Sequence, residues 1–179
     1  GFDRLHALGP HEIQVGILKR LKGTPIRRHT QAFEMVYSPL PPFEIMRTSV
    51  LSFEELNEMK RFAQIWDRVV NNGQFPESAQ WIWRNQESVF AAFRKFARWT
   101  VEKTGRSTHL SLLRLATLLC DFVMEVRGFE ESEIGPVLVR DLTRIKGRRL
   151  PERLRPYAEK KKKSLGPAKH GLARQRRHL

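Results

Sequence analysis

The sequence predicts an all-α protein: a bundle of five or six helices behind an extended, proline-rich N-terminal arm. The longest apolar patterns repeat every three or four residues, the period of a helix face. The chain holds 11 Phe and four Trp in 179 residues, and aromatic side chains of that size supply much of the area a core buries. Gly, Pro and Ser fall mostly between the periodic stretches, where they start and stop helices.

Pro10 to Leu21 reads as the first helix. Proline suits a first turn because it lacks the donor that would be orphaned there. Ile13, Ile17 and Leu21 form one stripe, Val15 and Leu18 widen it, and Gly23 with Pro25 stops it. Arg27, Arg28 and His29 follow in a loop. Phe33 to Tyr37 reads as a short strand or extended arm, and Pro39, Pro41 and Pro42 keep the chain extended after it.

Ser52 opens the clearest helix, where SFEE forms a capping box. Phe53, Leu56, Met59, Phe62, Ala63, Trp66, Val69 and Val70 continue one face, and Asn71, Asn72 and Gly73 end it. A shorter helix covers Glu77 to Trp83. The next runs from Glu87 to Lys103 and buries Val89, Phe93, Phe96, Ala97 and Thr100. The stretch Ser107 to Arg127 is apolar over most of its circumference, which predicts the central helix of the bundle. A final helix begins near Gly135 and Pro136. The organisation expected is a junction over 1–23, an extended arm over 24–51, a helical domain over 52–147 and a basic tail over 148–179.

Charge is unevenly distributed. From Arg144 to the C-terminus there are 14 Lys or Arg against Glu152 and Glu159, so that stretch carries +12 of a total of +14. Arg27, Arg28, Lys160, Lys161, Lys162 and Lys163 are the candidate polyanion contacts. A basic run of this density binds polyanions without sequence preference. It reads equally as an arm on RNA or DNA, an arm on an acidic face of the same protein, or a solubilising end.

The motifs that carry chemistry are missing. No two of the six histidines are spaced three or four apart, so no metal-ligand pattern arises. There is no nucleophile elbow, P-loop or dinucleotide fingerprint. The single cysteine, Cys120, sits in LLRLATLLCDFVMEV, where desolvation makes a thiol inert. A lone buried thiol points to a reducing, cytoplasmic setting. No run approaches 18 consecutive apolar residues, so no membrane partner is expected. GFDRLHALGP lacks the order of a signal peptide and reads as the interior of a longer protein. In WIWRNQESVFAAFRKFARW, aromatics interleave with Arg84, Arg94, Lys95 and Arg98. That pattern fits a base-stacking face, and fits better a core stripe with a solvated back.

HEIQVGILKRLKGTPI, MVYSPLPPFEI and FEELNEMKRFAQIWDRVVNNGQF resemble the C-terminal region of cobalamin-binding-domain radical S-adenosylmethionine proteins, broadly described as Fe-S oxidoreductases. The resemblance covers about residues 1–130 and leaves the basic tail outside it. It implies a parent protein with a cobalamin-binding domain and a radical S-adenosylmethionine barrel upstream, followed by a helical domain of unassigned role. The implied cofactors of that parent are a 4Fe-4S cluster, S-adenosylmethionine and cobalamin. This chain lacks the three-cysteine loop C-x-x-x-C-x-x-C and the cobalamin motif D-x-H-x-x-G, so no catalytic, cofactor-binding or metal residue is assigned to it.

The function expected is therefore accessory: a domain that covers or completes the barrel and shapes substrate access, without a catalytic group of its own. Its partners would be the upstream barrel and cobalamin-binding domains. Ile13, Ile17 and Leu21 are the candidate contacts, because burying such a side chain is worth about 1.5–3 kcal/mol. Without that partner the stripe would be covered by the bundle or by a second copy in a homodimer. The alternative is a nucleic-acid-binding helical module acting through the basic tail.

Overall fold

The computed structural model describes residues 1–158, so Lys160, Lys161, Lys162 and Lys163 lie outside the described residues. The described chain is mainly helical, as the sequence predicts. Its α-helices are α1 (Phe2–Ala7), α2 (Phe53–Trp66), α3 (Val89–Thr104), α4 (Leu112–Glu125) and α5 (Glu131–Thr143). A two-stranded antiparallel sheet pairs β1 (Val36–Tyr37) with β2 (Ile45–Arg47).

The helices that carry clear start signals form where those signals stand. The Ser52 side chain accepts from the Glu55 amide and Glu55 reaches back to the Ser52 amide, closing the capping box of α2. Ser88 caps α3, which stops at Gly105 in the left-handed region. Ser111 caps α4, four residues later than the periodicity suggested. The residues before it are held instead as a loop, in which Arg68 donates to the Leu110 carbonyl and Ser107 to Gln64.

The core is one cluster. Phe62, Ile65, Trp66 and Val69 meet Phe93 and Phe96 of α3, and α4 contributes Leu115, Leu118, Leu119, Phe122 and Val123. The buried face of α2 rotates towards Ile65 and leaves Phe53 exposed at its start. After Trp66 the helix widens into a π-turn over Asp67–Asn71. Such a turn shifts the face that follows it, and here it buries Val69 and turns the Asn71 side chain towards the N-terminal chain.

Three expectations are corrected. Residues 10–21 are not a helix; the helix is α1, seated earlier at Phe2–Ala7. Gly9 adopts a positive φ after it, and Pro10 marks its exit rather than a new start. From Ile13 onward the chain is extended. Ile13, Val15 and Ile17 point inward while Gln14, Gly16 and Leu18 point out, the two-residue alternation of a strand. The last helix begins at Glu131, capped by Glu130 and Glu133, and Pro136 lies inside it. Residues 148–158 belong to the fold as well. Leu154 is buried in the core, the Tyr157 ring lies against Gly135, and Arg153 bridges Asp121 of α4 and Glu131 of α5.

Two polar anchors hold the non-helical chain. The Asn71 side chain accepts from the Ile13 amide at 3.3 Å and the Trp66 indole at 3.1 Å, and donates to the Ile13 carbonyl at 3.1 Å. The buried Asp141 carboxylate accepts from the Glu77 amide and from both the amide and hydroxyl of Ser78, the last at 2.6 Å. It thereby pins the loop that leads into the 3-10 turn Ala79–Ile82 to α5.

Leaving a buried donor without its acceptor costs about 1–3 kcal/mol. Asp141→Ala strands three donors, and urea denaturation should show a loss of about 3 kcal/mol. Asn71→Ala should cost about 2 kcal/mol, with faster hydrogen exchange at the Ile13 amide while the amides of α3 and α4 keep their protection.

Candidate docking surface

The arm between residues 18 and 53 is built as a small sheet laid on α2. Residues 18–20 pair with the start of β2: the Ile45 amide donates to the Leu18 carbonyl at 2.8 Å and the Arg20 amide to the Phe43 carbonyl at 3.0 Å. Lys19 and Glu44 form the bridge between them. On the other side of β2, the Ser38 amide donates to the Glu44 carbonyl at 2.8 Å. The extended chain around β2 is thus the middle of three segments. Its inner side is sealed by Ile45 and Tyr37, both buried, and Lys60 of α2 pairs with Glu44. Arg20 lies over the Tyr37 ring.

The arm carries most of the large hydrophobic residues that the described chain exposes. Nine of the twelve large hydrophobic residues exposed in the described chain fall between Leu18 and Phe53. Leu40 is 69 % exposed, Val50 79 % and Leu21 56 %. None of the twelve lies between Glu54 and Thr143, which covers the helices α3, α4 and α5. Single exposed hydrophobic residues are ordinary, but a concentration of them marks an interaction surface.

The tips that carry these residues are fixed by local hydrogen bonds. The Thr48 hydroxyl accepts from the amides of Val50 and Leu51, and the Ser38 hydroxyl accepts from the Leu40 amide and donates to its carbonyl. Ser49 donates its amide to the Phe33 carbonyl at 2.8 Å, joining the two limbs. Short hydroxyl side chains satisfying nearby backbone in this way define tight turns. Leu40 and Val50 are therefore presented by ordered backbone.

Of the predicted contact residues, the structure brings together only part. Ile13 is 5 % exposed and belongs to the core, Ile17 is half-buried, and Leu21 lies on the open surface. Arg27 and Arg28 are exposed on the 3-10 turn Pro25–His29, where Arg28 donates to His29. The sequence reading missed Phe33, Leu40, Phe43, Val50 and Leu51 as surface residues. Their signal was an apolar run broken by prolines that matches neither helical nor strand period over its length.

Elsewhere the chemistry is structural. Phe93 and Phe96 are buried, Phe90 and Trp99 pack half-buried against the core, and Arg94 and Arg98 both close on Glu58, so most of the aromatic helix's ring area and those two cations are engaged within the fold. The Arg94 guanidinium, with help from Arg98, holds the Glu58 carboxyl below its ordinary range. Burial pushes the Cys120 thiol up to about 11, the opposite of what a thiolate ligand needs. Among the described residues no three His, Cys, Asp or Glu side chains are grouped so as to hold a metal, so they do not fit an iron-sulfur cluster. No helix among them is long and apolar enough to cross a membrane.

Over residues 31–176 the chain matches a family described as protein of unknown function DUF4080. The matched span takes in the arm from residue 31 onward, the bundle and most of the basic stretch that the first resemblance left outside. No curated protein and no solved structure matches the chain.

Leu40→Asp combined with Val50→Asp should leave the free energy of unfolding, measured in urea, within about 0.5 kcal/mol of the parent protein, because neither side chain contributes to the core. Ile13→Asp, which buries a carboxylate, should lose more than about 3 kcal/mol in the same measurement.

Proposed function

The chain belongs to the DUF4080 family, and from that premise we propose that it is a non-catalytic accessory domain which docks through its arm onto other domains of the same protein. The observation that carries this reading is the concentration of exposed apolar side chains on the arm, held in fixed turns beside a fully packed bundle. Burial of Leu21, Leu40 and Val50 would each contribute about 1.5–3 kcal/mol to such an interface.

The resemblance of the HEIQVGILKRLKGTPI and MVYSPLPPFEI segments supports one partner in this reading. It is the barrel of a radical S-adenosylmethionine, cobalamin-dependent Fe-S oxidoreductase, whose cluster, S-adenosylmethionine and cobalamin are held by residues outside this chain. The arm would lie along the barrel rim and narrow the approach of substrate. Lys19, Lys22, Arg27 and Arg28 surround its apolar part in sequence, so an acidic border on the barrel would complete the fit.

The test uses the whole protein that carries this chain. Amine cross-linking followed by peptide mapping should join Lys19 or Lys22 to the barrel domain. Leu40→Asp with Val50→Asp should abolish those cross-links and lower substrate turnover at least tenfold, with iron content unchanged. A parent coding sequence without a C-x-x-x-C-x-x-C loop overturns the reading. So does an isolated chain that buries Leu40 and Val50 in a homodimer persisting in the whole protein.

A further inference from the structure

A second surface lies at the other end of the fold, where the last helix gives way to the basic stretch. Residues 144–155 hold six cations, Arg144, Lys146, Arg148, Arg149, Arg153 and Arg155, against one acid, Glu152. The fold neutralises one of them: Arg153 turns inward between Asp121 and Glu131. Among the described residues, no carboxylate pairs with the other five.

Three of those five converge. Arg148, Arg149 and Arg155 line a shallow depression of about 640 Å³ together with Leu113, Leu150, Pro151 and the exposed Glu152, the one acid among seven lining residues. Their positions follow from the anchoring of the chain between them. Leu154 is buried, its amide closes a 3-10 turn on the Pro151 carbonyl at 2.9 Å, and Arg153 is clamped to two helices. The segment that carries the three arginines is thereby tied to the bundle. A solvated basic tail would have no such arrangement.

We propose that this depression binds single-stranded nucleic acid, with Arg148, Arg149 and Arg155 taking phosphates and Leu113, Leu150 and Pro151 taking the face of a base. A guanidinium grips a phosphate through two parallel hydrogen bonds, which makes arginine the favoured residue for that contact. A nucleotide places a flat, weakly hydrated ring one sugar away from its phosphate, and a depression lined by both arginine and apolar side chains offers both chemistries. In sequence, Lys160 to Lys163 follow closely and extend the positive charge. This inference is independent of the accessory-domain reading, and neither requires the other.

The full chain should be titrated against a fluorescein-labelled 20-nucleotide uridine RNA and the thymidine DNA of equal length, by anisotropy from 50 to 300 mM KCl. Binding of either oligonucleotide is expected, weakening as salt rises. Arg148→Gln/Arg149→Gln/Arg155→Gln should weaken it at least tenfold at 100 mM salt. It should also lower the slope of log affinity against log salt by about 2, since each phosphate contact on a single strand contributes about 0.7. Arg155→Gln alone, at an exposed position, should weaken binding about threefold and leave the circular dichroism spectrum unchanged. Lys22→Gln/Arg27→Gln/Arg28→Gln removes the same charge from the arm and should change affinity less than twofold. The proposal fails if the two triple variants lose affinity equally. It fails also if neither oligonucleotide binds at 50 mM salt, or if phosphatidylglycerol vesicles bind and the oligonucleotides do not.

Discussion

The side-chain amide of Asn71 treats the backbone of Ile13 as a neighbouring strand would, accepting from its N–H and donating to its carbonyl, and it takes the Trp66 indole as a third partner. The rest of the N-terminal architecture depends on that contact. Once Ile13 is set in the core, strand parity places Val15 and Ile17 inward and delivers residues 18–20 to the edge of β2. β2 in turn rests on α2 through Ile45 and the Lys60–Glu44 pair. The π-turn over Asp67–Asn71 makes the arrangement possible, because it brings Asn71 to a face that a regular helix would not have offered it.

The molecule then separates two kinds of surface. The arm gathers its exposed apolar side chains on turns fixed by Thr48 and Ser38, while the segment after α5 gathers unpaired guanidinium groups around the anchored Leu154. Between them the bundle pairs several of its charges internally: Glu58 with Arg94 and Arg98, Glu77 with Arg140, Glu125 with Lys103. Most of such exposed pairs contribute little to stability, but they remove charge from surfaces where no ligand is needed.

The helices were legible because local signals agreed with each other. Ser52, Ser88 and Ser111 each cap a stretch of helical period, and Gly105 closes one of them. The N-terminal segment was not legible, since Ile13, Ile17 and Leu21 share a face under both periods; a spacing of four is even, so it fits a strand as well as a helix. Val15 and Gly16 between them, both poor helix residues, carried the deciding information. The start of α5 was hidden because its cap is a pair of glutamates, and the proline that reads as a first-turn signal sits well inside the helix. Asp141 and Asn71 gave no signal, since the backbone they hold, at Ser78 and Ile13, lies more than fifty residues away in the chain. The arm's surface was half legible: the prolines marked an irregular segment, and only the fold shows which of its apolar residues remain outside.

The Phe2 ring stands edge-on against Phe62 and Trp66, and the neighbouring Asp3 carboxylate accepts from the Phe90 amide and the Ser88 hydroxyl at the start of α3. Those contacts hold the Asp3 carboxyl below its ordinary range. Both residues precede the span that defines the family, which begins at residue 31. The boundary traced by sequence likeness and the boundary traced by packing are therefore different lines. One practical result is that trimming the protein to the likeness would uncover Trp66 and leave the Phe90 amide at the start of α3 without its Asp3 acceptor. Another is mechanical: a pull on the first few residues reaches the buried indole through the Phe2 ring, without passing through the arm.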